Sequence, residues 1–155
     1  MRPLPEDTYF QILAPGDYRK MWNVIRYGLL QSVPPTAGGG LDSLRKVLVQ
    51  LLTGKAQVWL LYKKKAERMQ LMLLTYQDQD PLTGAKFLII YAVYGYSAVT
   101  NEEWFAVSDR LERFAKQEKC GRIIAFTAAK RITELAKSTG FADQYHLIAK
   151  ELGDG

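Results

Sequence analysis

The chain has 155 residues, enough for one domain with its own core, and 48% hydrophobic against 24% charged residues excludes a disordered chain. A net charge of +5 with an isoelectric point near 9.3 favours anionic partners, although only Lys63-Lys64-Lys65 forms a basic run. No apolar stretch reaches the ~18–20 residues of a membrane helix, Met1 to Asp7 lacks the apolar centre of a secretory signal, and the lone Cys120 excludes an internal disulfide or a multi-cysteine zinc site. These features describe a single domain over residues 1–155, soluble and cytoplasmic.

Tyr9 to Leu13 is a short apolar run closed by Ala14-Pro15-Gly16, which predicts a strand and a turn. Asp17 can cap a helix from Tyr18, in which Met21, Trp22, Ile25 and Leu29 recur at helical spacing. Val33 to Gly40 holds two prolines and three glycines and predicts a loop. It is not a phosphate loop, because no strand precedes it and no Gly-Lys-Ser/Thr closes it. A second amphipathic helix follows, with Leu44, Val47, Leu48, Leu51 and Leu52 on one side and Gly54 past its end.

The period then changes. Gln57–Tyr62, Met69–Thr75 and Lys86–Tyr94 are apolar, β-branched or aromatic runs separated by short polar connections, the pattern of an antiparallel meander. A helix over Asn101–Lys119, a strand over Arg122–Thr127, a helix over Ala129–Ser138 and a last strand over Tyr145–Glu151 complete the chain. The order β-α-α-β-β-β-α-β-α-β predicts an α/β (α+β) fold: a mixed, mostly antiparallel sheet with helices on both faces.

In its second half this order resembles the GNAT (Gcn5-related N-acetyltransferase) fold. EWFAVSDRLERFAKQEKCGRIIAF, Glu103 to Phe126, is similar to that family's third helix and fifth strand, and KRITELAKSTGF, Lys130 to Phe141, to its fourth helix with a terminal Gly-Phe pair. The resemblance implies an acetyl-CoA-dependent N-acetyltransferase ancestry. The family holds the CoA pyrophosphate with Gln/Arg-x-x-Gly-x-Gly/Ala ahead of the third helix, and that motif should fall on Val99 to Trp104, where none of its positions is filled. Thr100-Asn101-Glu102-Glu103 reads instead as a capping box, which satisfies the amides a phosphate would use and adds two carboxylates that repel it.

The family's asparagine at the start of the fourth helix and its thiolate-protonating tyrosine are replaced by Ala129 and Ala136. If acyl-CoA binds, the resemblance puts Tyr94, Val99, Thr100, Asn101 and Thr127 beside it, with Tyr94 and Tyr96 flanking the entry of the pantetheine arm. Degenerate domains of this kind are similar to tailed-phage proteins. The expected function is therefore a GNAT-like binding or structural component without acetyl transfer or cofactor, in the cytoplasm or a virion, whose partner is a protein, in virion assembly or in a homo-oligomer. The alternative is an N-acyltransferase with an atypical pyrophosphate site.

Three other candidates are weaker. His146, the sole histidine, sits between Tyr145 and Leu147 with no catalytic or metal partner nearby in sequence. Cys120 at the end of a helix reads as a small buried hydrophobe. Lys63, Lys64 and Lys65 offer a connection that a nucleic acid could use. Strict alternation would set Tyr91 and Tyr94 on opposite faces of their strand.

Overall fold

The computed structural model describes residues 1–32, 41–127, 130–144, 146 and 148–153. The elements are β1 (Thr8–Ile12), a 3-10 turn (Pro15–Asp17), α1 (Tyr18–Ser32), α2 (Leu41–Leu52), β2 (Ala56–Lys63), β3 (Arg68–Gln79), β4 (Lys86–Gly95), α3 (Asn101–Gln117), β5 (Arg122–Ala125) and α4 (Lys130–Ser138). They form one sheet in the order β1-β2-β3-β4-β5. The first four strands pair antiparallel, and β5, reached through α3, lies parallel to β4. This is the expected mixed sheet.

Two layers of side chains hold it. Against one face, Ile25 and Leu29 of α1 and Leu44 and Leu51 of α2 pack on Val58, Leu60, Met72, Leu74 and Ala92. Against the other, Trp104, Val107 and Leu111 of α3 pack on Trp59, Leu61, Leu71, Leu73 and Ile90, with Leu135 and Phe141 from the α4 region at the margin. Alternation along β2 and β3 sends successive residues to opposite layers, so both faces of the central strands are buried. Each fully buried leucine contributes about 1.5–3 kcal/mol relative to exposure.

The helix ends explain the glycines that matter. Beyond α4, the Gly140 amide donates to the Lys137 carbonyl and the Phe141 amide to that of Ala136, with Gly140 at φ 96°. This left-handed closure is what the Gly-Phe pair provides: the glycine takes the turn and the phenylalanine returns to the core. At the end of α3 the equivalent position is not a glycine. Lys119 adopts φ 60°, while the Lys119 and Cys120 amides donate to the Lys116 and Ala115 carbonyls.

One expected element is corrected. None of the described residues from 142 to 153 is in a strand, and all are exposed, Ile148 at 93% and Leu152 at 86%. Alternation specifies a strand only when a sheet edge takes up its backbone. Here β5 has only four residues, and the chain leaving α4 is tied back by a Lys137–Asp143 ion pair at 3.0 Å. The 33–40 loop, Ala129, Tyr145 and Leu147 lie outside the described residues.

Candidate functional site

Two irregularities meet on β4. Its ladder with β3 skips a residue, since Leu74 faces Ala92 while Thr75 faces Ile90. Tyr91 is thus the extra residue of a β-bulge, which bends the strand and breaks its alternation. Tyr91 and Tyr94 therefore pack on the same α1 side, not on opposite faces. On the other side of β4, the ladder with β5 runs from Phe87–Arg122 to Ile90–Ala125, and the Phe126 amide donates to the Ile90 carbonyl at 3.2 Å. Residues 91–95 of β4 continue with no β5 residue opposite them. Among the described residues the parallel ladder ends beside the bulge, and this half of β4 presents backbone groups that a longer ladder would have used. Tyr94 stands on that half, and exposed Thr127 follows β5 at the same end of the sheet.

Tyrosines wall the α1 side of the opening. The Tyr96 hydroxyl donates to the Val24 carbonyl of α1 at 2.7 Å. Gly28 makes that approach possible, because a Cβ there would lie 2.6 Å from the Tyr96 oxygen and 3.0 Å from Met72 Cε. Tyr94 meets Tyr96 and Tyr27 edge-on, at 4.9 and 5.7 Å between ring centroids, and Tyr27 is 53% exposed. Burial pushes the Tyr96 phenol up to about 12 and raises that of Tyr91, while Tyr94 is raised first by its hydrogen bond to Tyr27. These phenols are neutral at physiological pH, so they can donate hydrogen bonds but cannot act as bases.

The loop from β4 to α3 is held by Gln70, the extra residue of a second bulge between β2 and β3. Its carbonyl accepts from the Tyr96 and Ser97 amides, and its side-chain nitrogen donates to the Ala98 carbonyl at 3.1 Å. That delivers Thr100 to the helix start. Its hydroxyl accepts from the Glu103 amide at 3.1 Å, and Glu103 Oε1 accepts from the Thr100 amide at 3.3 Å. The expected capping box is present. Glu103 is buried, and its Oε2 and the Oε1 of Gln70 have no protein donor within reach. Glu102 is exposed on the same turn.

The remaining candidates are dispersed. Val99 turns into the α3-side core, and Asn101 is the exposed first residue of α3. The lysine run is woven into its turn: Lys63 Nζ donates to Thr8 Oγ1 at 3.4 Å, the Lys65 amide to the Asp7 carboxylate at 3.0 Å, and Lys64 lies over the Tyr9 ring. Burial raises the Cys120 thiol, in keeping with a structural role. His146 is exposed and not in a strand. Ala136 is half-buried on α4. The sequence pattern did not single out Tyr27, Gly28 or Gln70. A lone glycine inside an otherwise regular helix was the available signal for the close contact at Tyr96.

No protein-family model matches the sequence, and no curated protein matches it. Its fold, however, is shared with solved structures. One described as a probable acetyltransferase superposes with a TM-score of 0.71 at 10% identity, covering 95% of this chain and 99% of that one. A GNAT family acetyltransferase of Staphylococcus aureus gives 0.64 at 15% identity, covering 94% and 99%. A predicted acetyltransferase of Clostridium acetobutylicum, solved with acetyl-CoA, gives 0.68 at 14% identity, covering 93% and 96%. The chain has the GNAT fold. None of these descriptions speaks of a phage particle, so the expected virion origin draws no support from them.

The two parts of an acyl-CoA would meet different surfaces of this chain. The amide-bearing pantetheine arm suits the open edge of β4, where an extended ligand can pair with backbone groups as an added strand does. The pyrophosphate does not suit the first turn of α3, whose Thr100 cap and paired glutamates already occupy or oppose it. Among the described residues no cluster of three or more His, Cys, Asp or Glu could hold a metal ion, and no helix is long and apolar enough to cross a membrane.

Proposed function

We propose that the chain is an acyl-CoA-dependent N-acyltransferase that holds its acyl donor along the open half of β4, without a phosphate loop before α3. The end of the β4–β5 ladder beside the Tyr91 bulge carries this reading, because it leaves residues 91–95 with an edge along which an extended, amide-bearing arm can pair. The fold shared with acetyltransferases, one of them solved with acetyl-CoA, supports it. The donor supplies an acyl group activated as a thioester. The chain supplies orientation and hydrogen bonds: backbone groups of residues 91–95 for the arm, and the neutral phenol of Tyr94, with the Tyr27 ring edge-on to it, at the α1 side of the opening.

A second reading has its own observation. The capping box, with Glu102 and Glu103 in the first turn of α3, favours a binding component that has given up acyl transfer. Incubation with acetyl-CoA and a mixed pool of amines separates the two. Free thiol released above the protein-free rate supports the enzyme; no release, together with no acetyl-CoA binding, supports the second reading and overturns the first.

A further inference from the structure

The side of the opening facing α1 has an unusual electrostatic make-up. Along α1, which packs on β4, the sequence carries Arg19, Lys20 and Arg26 and no acid from Tyr18 to Ser32. From Lys86 to Asn101, and again from Lys119 to Thr133, it carries no acid and no histidine. These segments are β4 with the loop behind it, and β5 with the start of α4. Glu102 and Glu103 belong to the α3 cap, whose helix packs on the other face of the sheet, and Asp78 of β3 acts on Tyr76, which meets Tyr91 edge-on.

An aliphatic amine arrives at neutral pH as an ammonium, since such nitrogens titrate near ~10. To react with a thioester it needs a base to deprotonate it, and to bind it needs a carboxylate or another acceptor. Neither α1 nor Lys86 to Asn101 carries a carboxylate or an imidazole to serve as that base, and the α1 cations repel an ammonium. They offer aromatic surface instead. Tyr27 is half-exposed, edge-on to Tyr94, and Asn23 and Lys20 lie one and two helical turns before it on the same exposed stripe of α1.

From this juxtaposition we infer that the opening between α1 and the free half of β4 takes an aromatic amine bearing an anionic group. Its ring packs on Tyr27 and Tyr94, and its anion faces the α1 cations. An arylamine nitrogen is neutral at physiological pH and needs no base. Its lone pair forms the new C–N bond to the acyl carbon, the C–S bond breaks with its pair on sulfur, and the proton lost from nitrogen ends on the sulfur. The products are an anilide and a free thiol. This substrate class rests on the acyltransferase proposal, whereas the binding surface does not.

The test uses 4-aminobenzoate, with 4-(aminomethyl)benzoate as a partner of equal negative charge but an aliphatic ammonium. Binding of each to the whole chain is followed by NMR titration without acetyl-CoA, and acylation with it. The expected result is saturable binding of 4-aminobenzoate that weakens about tenfold in Tyr27→Ala, is kept in Tyr27→Phe, and is unchanged in Leu82→Ala on the remote β3–β4 turn. With acetyl-CoA, the anilide forms faster than the aliphatic amide. Failure of 4-aminobenzoate to bind at about 10 mM, equal binding by Tyr27→Ala, or preference for the aliphatic amine overturns the inference. Acyl transfer to the aliphatic amine alone leaves the acyltransferase standing and removes this substrate class. Tyr27-dependent binding without any acetyl-CoA turnover leaves the binding surface standing and removes the acyltransferase together with its substrate class.

Discussion

The hydroxyl oxygen of Tyr96 occupies the space that a side chain at residue 28 would need. A Cβ on Gly28 would come within 2.6 Å of it, while the same hydroxyl donates to the Val24 carbonyl at 2.7 Å. The contact ties α1 to the far end of β4 and sets the height of α1 above the opening. Gly28→Ala gains about 1 kcal/mol of helix propensity but overpacks this contact, so a net loss of roughly 1–2 kcal/mol is expected by chemical denaturation. In a Tyr96→Phe background the clash is relieved, and the same substitution costs at least about 0.5 kcal/mol less. Equal costs in both backgrounds would show that the hydroxyl is not the obstacle.

The start of α3 separates stability from ligand affinity. Thr100→Ala removes the cap and should cost about 0.5–2 kcal/mol. Glu102 is exposed and outside the capping box, so Glu102→Gln should change stability by no more than about 0.5 kcal/mol. If the pyrophosphate lies near this turn, Glu102→Gln also tightens acetyl-CoA binding, with a gain that shrinks as salt is raised.

Lys119 closes α3 with φ 60°, a conformation that costs an L-residue about 1–2 kcal/mol relative to glycine. Glycine loses part of that advantage through its freer unfolded state. Lys119→Gly is expected to raise stability by about 0.5–1 kcal/mol, read as a higher denaturation midpoint. A lower midpoint would mean that the lysine side chain makes a contact worth more than the strain.

Arg2 holds Asp109 of α3 through paired hydrogen bonds at 2.6 and 2.8 Å, and this keeps the Asp109 carboxyl well below the usual carboxylate range. A depressed carboxyl pKa stabilises the fold above its unfolded value, about 3.9, and the contribution declines as pH falls below that. Arg2→Ala should therefore lower Tm at pH 7, and the difference from the wild type should narrow steadily below about pH 4. A difference independent of pH would point to the stacking of Arg2 on Phe105 instead.

Periodicity sufficed for the strands of the meander, for both amphipathic faces of α1 and α3, and for the Thr100–Glu103 cap, because each depends on residues near one another in sequence. Gly140-Phe141 was legible for the same reason. The Tyr91 bulge was not, since a one-residue skip in register is decided by what β3 places opposite β4. The last strand failed in the opposite way. Tyr145 to Glu151 has the alternation, but alternation carries no information about whether an edge will receive it. The open half of β4, on which the proposed function rests, is a relationship between strand lengths that no local pattern encodes.

The proposed acyl transfer requires that the free half of β4 receive an acyl-CoA although the phosphate loop is absent. Calorimetric titration of the chain with acetyl-CoA tests it most directly. Saturable 1:1 binding with Kd below about 1 mM, weakened by replacing acetyl-CoA with 3′-AMP or ADP fragments that lack the pantetheine arm, is the expected result. No binding at several millimolar, or equal affinity for fragments without the arm, would contradict it.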